Sequence, residues 1–269
     1  MGRGGRRFLS LPVIAVISLI GFVYYCTVFV FVESWLGLRS AAGICSALVF
    51  SYLALMCLAS FCASVVIDPG QVPASFVPDM EGSDGNGVRL KYCGKCSSYK
   101  PPRSHHCRVC RRCVLKMDHH CLWINNCVGY ANYKPFIIFV LNATISSIYS
   151  VVVFVGNILH NDHKFIERAS SKLFNVAFGS TVMILSILLG TLLGWHIFLM
   201  CHNMTTIEYR EAIRAMWLAR KSGQRYHHPF DLGPCKNLSS TLGPNALKWW
   251  CPLAVGHLRD GLQFPTSRQ

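Results

Sequence analysis

Four long stretches of this 269-residue chain carry no Asp, Glu, Lys or Arg: residues 11–32, 41–67, 135–159 and 173–201. Each exceeds the roughly 20 residues that an α-helix needs to cross a hydrocarbon core of about 30 Å. Inside a bilayer the backbone has no water to bond, so an apolar stretch of that length must satisfy its amides and carbonyls within a helix. The pattern predicts an all-α membrane protein with four transmembrane helices. At 52% hydrophobic and 14% charged residues, the chain is too apolar for an ordinary soluble domain. Arg3, Arg6 and Arg7 before the first stretch would also suit a cleaved leader. The length of that stretch, and the lack of a small-x-small site before Glu33, favour a retained anchor. Gly2 lacks the Ser or Thr at position 6 that myristoylation needs.

Basic residues set the expected orientation. The N-terminus, residues 68–134 and the tail from 202 hold 22 of the 26 Lys and Arg, so both termini and the segment between helices 2 and 3 are expected in the cytosol. The net charge of +14 then follows from topology and anionic lipid, and no nucleic-acid partner is expected. The sequence does not choose among Golgi, endoplasmic reticulum and plasma membrane.

The cytosolic segment carries a motif that occurs twice, offset by fourteen residues. Cys93, Cys96, His106 and Cys113 read C-x2-C-x9-H-x6-C, as do Cys107, Cys110, His120 and Cys127. Three thiolates and one imidazole fill a zinc tetrahedron and leave no open position, so two structural zinc ions are expected. Reduced cytosolic thiols fit metal and not disulfides. Of the seven cysteines between 93 and 127 the two sites use six. Cys121 is left over, and three positions later stands Ile124 where a second cysteine would open a third site.

The neighbours of Cys121 suggest its use. Where the first copy reads Ser104-His105-His106-Cys107, the second reads Asp118-His119-His120-Cys121. A cysteine attacks as its thiolate, a histidine can take its proton, and a carboxylate can orient that histidine. Cys121 is thus the candidate nucleophile, His119 the base and Asp118 its orienter. His105, preceded by Ser104, reads as structural or solvent-facing.

Asp118-His119-His120-Cys121 inside a cysteine-rich domain resembles the DHHC family of protein S-acyltransferases, in its plant-type members. Asp68-Pro69-Gly70 resembles the family's DPG motif, and Thr205-Thr206-Ile207-Glu208 its TTxE motif. Asn237 lies where the family's C-terminal motif has an asparagine. The resemblance implies a two-step transfer of a long-chain acyl group, palmitoyl by expectation, from acyl-CoA to Cys121 and then to a protein cysteine. It also implies membrane-associated protein substrates with juxtamembrane cysteines, and an acyl tail lying among the helices in the lipid bilayer. Asp68, Pro69, Gly70, Thr205, Thr206, Glu208 and Asn237 are expected to act structurally, with Thr206 or Glu208 holding the tail beneath the site. A non-catalytic adaptor and a RING-like ubiquitin ligase also use interleaved zinc sites; neither needs a spare nucleophile.

The expected organisation is an N-terminal arm and helices 1–2 over 1–67, a linker over 68–88, a zinc domain over 89–134, helices 3–4 over 135–201 and a tail over 202–269. The zinc domain is too short for a sizeable hydrophobic core, so its metals must supply much of the folding free energy, and short strands and loops are expected there. Asn142, Thr144, Ser146, Ser147 and Ser150 in the third helix could bond between helices or line a cavity. Gly190 and Gly194 suggest close helix packing. Trp123, Phe136 and Phe139 could touch an acyl chain or simply pack. Lys95, Lys100, Arg103, Arg108, Arg111, Arg112 and Lys116 could bind CoA phosphates or neutralise the zinc sites, each at −1. Sequons at Asn142, Asn203 and Asn237 are expected to stay unglycosylated, being in the bilayer or the cytosol. Trp249-Trp250 could rest on headgroups or pack as a pair.

Overall fold

The computed structural model describes residues 8–78, 91–160 and 169–267. The Arg3, Arg6 and Arg7 arm, residues 79–88 of the linker and the 161–168 loop lie outside the described residues. In chain order the elements are helices α1 (Leu11–Trp35) and α2 (Ala41–Val66), six three-residue strands, then α3 (Tyr133–His160), α4 (Ala169–Cys201), α5 (Thr206–Lys221) and α6 (Pro234–Leu242). The strands are β1 (Lys91–Cys93), β2 (Ser98–Lys100), β3 (His105–Cys107), β4 (Arg112–Val114), β5 (His119–Cys121) and β6 (Asn126–Val128). Four helices are long and apolar enough to cross a membrane, with 25, 26, 28 and 30 residues in the spans. At 1.5 Å per residue even the shortest reaches about 37 Å. The protein is a mostly helical, multi-pass membrane protein with a cysteine-rich region between its second and third spans.

Two helix ends differ from the charge-free limits for local reasons. α1 continues through Glu33, whose carboxylate then accepts a hydrogen bond from the Leu38 amide just beyond the helix. α3 begins at Tyr133, because Pro135 falls in its first turn, where a missing N–H has no intrahelical acceptor to lose.

The chain divides into two compact units. The first comprises residues 8–62 and 137–195 of the described chain. Between Cys26 and Val32, α1 widens into π-helical turns. From that segment Phe31 is fully buried, with ring centroids 4.7 Å from Phe178 and 5.2 Å from Phe154. Most of the α3 hydroxyls and amides turn back onto their own helix: Asn142 donates to the Ile138 carbonyl, Thr144 to Val140 and Ser147 to Thr144. Such bonds satisfy a polar group in a medium without water. Ser150 adds a bond to Thr27 at 2.9 Å. The expected close approach at Gly190 and Gly194 is met at one of the two and is not where the helices pack most tightly: a Cβ on Gly190 would lie 3.9 Å from the Thr144 methyl, and one on Gly194 would meet nothing within 4 Å. A Cβ would instead strike the Trp35 ring at Gly156 and come within 2.6 Å of Phe154 at Gly179.

The second unit comprises residues 63–136 and 196–267 of the described chain. It is built on three antiparallel hairpins, β1–β2, β3–β4 and β5–β6, whose first strands start at 91, 105 and 119. The fourteen-residue period of the sequence is thus a period of the backbone, and it runs for three turns. Each hairpin loop places one residue in the left-handed region just before its second strand, at Ser97, Arg111 and Asn125. The buried interior is small, grouping Val72 and Leu115 with Cys93 and Cys113, and Val114 and Met117 with Cys107 and Cys127. The candidate metal-ligating cysteines are themselves part of the core.

Candidate active site

The two ligand sets assemble as the spacing requires. In the first, Cys96 Sγ lies 3.2 Å and Cys93 Sγ 3.6 Å from His106 Nδ1, with Cys113 Sγ 3.7 Å from Cys96. In the second, Cys107, Cys110 and Cys127 lie 3.7, 3.4 and 3.6 Å from His120 Nδ1. A tetrahedral ion with Zn–S of about 2.3 Å and Zn–N of about 2.0 Å puts its ligand atoms roughly 3.5–3.8 Å apart. Both sets fit one such ion, held through the Nδ1 nitrogen. With four protein ligands each, neither leaves a position for substrate.

The third hairpin keeps the form of a metal knuckle without the second thiol. Cys121 ends β5 as Cys93 ends β1 and Cys107 ends β3. Ile124 stands where Cys96 and Cys110 stand in the other two, and it is fully buried. In the second knuckle the Cys110 amide donates to Cys107 Sγ at 3.3 Å. The amides of Ile124 and Trp123 do the same for Cys121. The loop that bonds the Cys107 sulfur in the second knuckle thus has its counterpart at the Cys121 sulfur in the third.

His119 stands beside it. The Cys121 thiol is hydrogen-bonded to the His119 imidazole, and His119 Nδ1 bonds Asp118 Oδ2 at 2.6 Å. The Asp118 side chain is fully buried, while 31% of His119 remains exposed, so the carboxylate is sheltered and the base can meet a ligand. Burial opposes ionisation of Cys121, yet the bonds from His119 and the two amides outweigh it and hold the thiol below its ordinary range. Burial likewise opposes charge on His119, but Asp118 and Cys121 together lift the imidazole to about 9. Burial would raise Asp118; its bond to His119, its charge neighbours and the Thr206 amide bring it down instead. Both shifts act in the direction of a thiolate beside an imidazolium.

Of the expected structural motifs, the one at Thr205–Glu208 reaches this trio directly. Thr206 donates its amide to Asp118 Oδ1 at 2.8 Å and its hydroxyl to Oδ2 at 2.9 Å. Thr205 caps α5 in a reciprocal box: its Oγ1 accepts from the Glu208 amide while its own amide donates to Glu208 Oε2. Glu208 also grips Arg103 with two bonds of 2.7 Å. Asp68 accepts from Arg112 at 2.7 Å and from the Gly70 amide at 3.0 Å. Gly70 adopts φ +103°, and its carbonyl accepts from Leu115, while that of Pro69 accepts from Ala131. Asn237 is fully buried and donates to the last carbonyl of α4, at Cys201, and to Asp231.

Several supporting residues carry no local signal in the sequence. Asn126 donates to the Ser64, Val65 and Ile67 carbonyls and Asn132 to that of Ser64, so two side-chain amides serve the orphan carbonyls at the end of α2. They tie the Cys121 hairpin to the end of a membrane span. Arg103 is stacked over Phe230 at 4.4 Å, and Lys116 donates to Asn203, which removes both from the cations open to a phosphate. Lys95, Lys100 and Arg108 instead line an open basin of about 520 Å³ with His105 and Tyr92. Phe136 packs edge-on against His119 at 5.5 Å, Phe139 packs on Phe61, and Trp123 is 59% exposed at the tip of the third hairpin. Trp249 turns inward, its Nε1 donating to Gly243, while Trp250 stays exposed. His196 of α4 also reaches the site: its ring lies 6.0 Å from His119, and Tyr133 Oη bonds its Nδ1 at 3.0 Å. A histidine in an otherwise charge-free span is itself a signal, and a survey of Asp, Glu, Lys and Arg alone passes over it.

A polarised thiol beside two sets of metal-capable ligands, in a chain with four membrane-spanning helices, fits a membrane enzyme that works through a cysteine. A model of the DHHC palmitoyltransferase family matches residues 87–213. The chain is 56% identical to Probable protein S-acyltransferase 15 of Arabidopsis thaliana, over 92% of this chain and 99% of that protein. It is 48% identical to Probable protein S-acyltransferase 16 of the same plant, over 99% and 96%. With Palmitoyltransferase ZDHHC3 of Rattus norvegicus it shares 33% identity over 72% of this chain and 69% of that one. The chain belongs to the DHHC palmitoyltransferase family and is a protein S-acyltransferase.

Proposed function

We propose that acyl transfer runs through Cys121, with His119 as proton carrier and Asp118 as its orienter. The observation that carries this is the hydrogen-bonded chain Asp118–His119–Cys121 on a knuckle that lacks its second thiol. The Cys121 thiolate attacks the thioester carbon of an acyl-CoA, and the carbon–sulfur bond to CoA breaks. His119 gives its proton to the departing CoA sulfur. In the second half, a substrate cysteine yields its proton to His119 and attacks acyl-Cys121, which leaves as thiolate. The enzyme is then as it began.

Both ligand sets hold zinc in this reading, and zinc's part is to fix the three hairpins. The basin beside Lys95, Lys100 and Arg108 suits the CoA phosphates, and its cations also offset the negative charge of a three-thiolate site. The acyl chain enters the bilayer, where each buried methylene is worth about 0.8 kcal/mol. Substrates are membrane-associated proteins whose cysteines lie near the surface, and both termini face the cytosol with the zinc region. The test is incubation of purified protein with alkyne-tagged palmitoyl-CoA. Hydroxylamine-labile label on the wild type and none on Cys121→Ser, at equal zinc content, supports the reading; equal label on both sinks it.

A further inference from the structure

We propose that His196, held by Tyr133, is a positioning residue of the transfer centre that keeps the His119 imidazole aimed at Cys121. This rests on the assignment of His119 as proton carrier.

The argument starts from what Asp118 leaves undone. Its two oxygens are committed to His119 Nδ1 and to the amide and hydroxyl of Thr206. It therefore anchors one edge of the His119 ring, the bond to Cys121 lies on the reacting side, and the lateral position of the ring is left to the residues packed on its faces. The flanks of the ring are closed by Phe136 and His196, at centroid distances of 5.5 and 6.0 Å. These two pack on each other at 5.2 Å. His196 is 1% exposed, and one of its ring nitrogens lies within 4.8 Å of both an Asp118 oxygen and a His119 nitrogen.

His196 is itself oriented from one side. Tyr133 Oη lies 3.0 Å from its Nδ1. Tyr133 and Phe136 are three apart in the first turn of α3, so they share a helix face. One helical turn thus delivers both the anchor of His196 and the ring that closes the other flank of His119. A packed ring alone would serve as filler; the bond to Tyr133 fixes its rotation. His196 touches no reacting atom in the scheme above. What it supplies is geometry, and misplacement of a catalytic group by about 1 Å can cost on the order of 10²-fold in rate.

The test is the rate of acyl-enzyme formation by full-length protein in nanodiscs with alkyne-tagged palmitoyl-CoA. The proteins compared are wild type, His119→Ala, His196→Phe, Tyr133→Phe, the double variant and His196→Gln. His196→Phe keeps a ring without the hydrogen bond, and Tyr133→Phe removes one hydroxyl. Each is expected to slow the step by roughly 10-fold or more, with the KM for acyl-CoA unchanged and two zinc ions retained. The double variant should be no slower than the worse single one, because both break one link. His196→Gln can still bond Tyr133 and should recover part of the rate, but not in the Tyr133→Phe background. A wild-type rate in Tyr133→Phe or His196→Phe overturns the proposal, as do losses that multiply in the double variant. Should His196→Phe lose zinc, the Tyr133→Phe result decides. If His119→Ala reacts at the wild-type rate, the base assignment itself fails, an outcome distinct from failure at His196 alone.

Discussion

In the proposed function Cys121 is the nucleophile because of the residue three positions on. With cysteine at 124 the third hairpin would offer a metal the same pair of thiols as the first two; with Ile124 the thiol keeps the amide bonds of a knuckle and gains His119 as its partner. A thiol held below its ordinary range stays ionised down to lower pH, and its reactivity is lost as pH falls through that depressed value. His119, lifted to about 9, keeps its proton through neutrality and loses it as pH rises past that point. Alkylation of Cys121 by iodoacetamide, followed on its own peptide by mass spectrometry, should therefore persist below the pH at which free cysteine stops reacting. Acyl-enzyme formation should decline above about pH 9, where the proton for the leaving CoA sulfur is gone. His119→Ala should move the alkylation profile upward and slow acyl-enzyme formation by a factor on the order of 10² to 10⁴. An unmoved profile would remove His119 from the site. Thr206→Val deletes one of two bonds from that residue to Asp118, and a hydrogen bond of about 0.5–1.5 kcal/mol predicts a several-fold loss. Full activity in that variant would show the hydroxyl to be idle.

At the scale of the element, the three hairpins differ in what holds them together. The first two bring together ligand sets that could hold a metal; the third closes on Ile124 and on the grip of Asn126 and Asn132 at the end of α2. Cys107 and Cys121 both follow a His-His pair, yet only the first belongs to a set of four that could hold a metal. Cys107→Ser should lose about one zinc per chain and melt earlier, because a broken structural site forfeits folding free energy. Cys121→Ser should keep both ions and a normal melting profile while forming no acyl-enzyme. Zinc loss from Cys121→Ser would make it a ligand and end the argument from the leftover thiol. The repeat of ligands was legible in the sequence because a metal knuckle is a local device, with its first two donors three residues apart. The partnership of Arg103 with Glu208 was not, since it joins positions 105 residues apart and neither neighbourhood names the other. The same holds for the Asn126 cap and for Tyr133 with His196, which lie 63 apart. Glycine spacing misled for a related reason: Gly190-Gly194 is a possible packing face, and only the neighbouring side chains decide whether it is used. Lys134 is another contact of this kind, its ammonium bonded to the Leu242, Lys248 and Ala254 carbonyls. Lys134→Met would leave three carbonyls without their cation and should loosen residues 242–254, seen as faster tryptic cleavage at Lys248.

The whole molecule adds a constraint that no single site carries. Its thiols must stay reduced to hold metal and to attack a thioester, and reduced thiols persist on the cytosolic side of a membrane. The distribution of charge points the same way, with 22 of 26 Lys and Arg in the three segments that an even number of spans leaves on one face. Positive loops resist translocation, so the proposed orientation puts that face in the cytosol. Redox chemistry and electrostatics are independent grounds for the same proposed orientation. Tags on the N- and C-termini should both be digested by protease added to sealed microsomes, with full protection appearing for neither. A protected C-terminal tag with an exposed N-terminal one would mean an odd number of spans. Protection of both would place Cys93–Cys127 in an oxidising compartment, where the six ligand thiols would pair with one another and Cys121 would have no reduced state from which to begin.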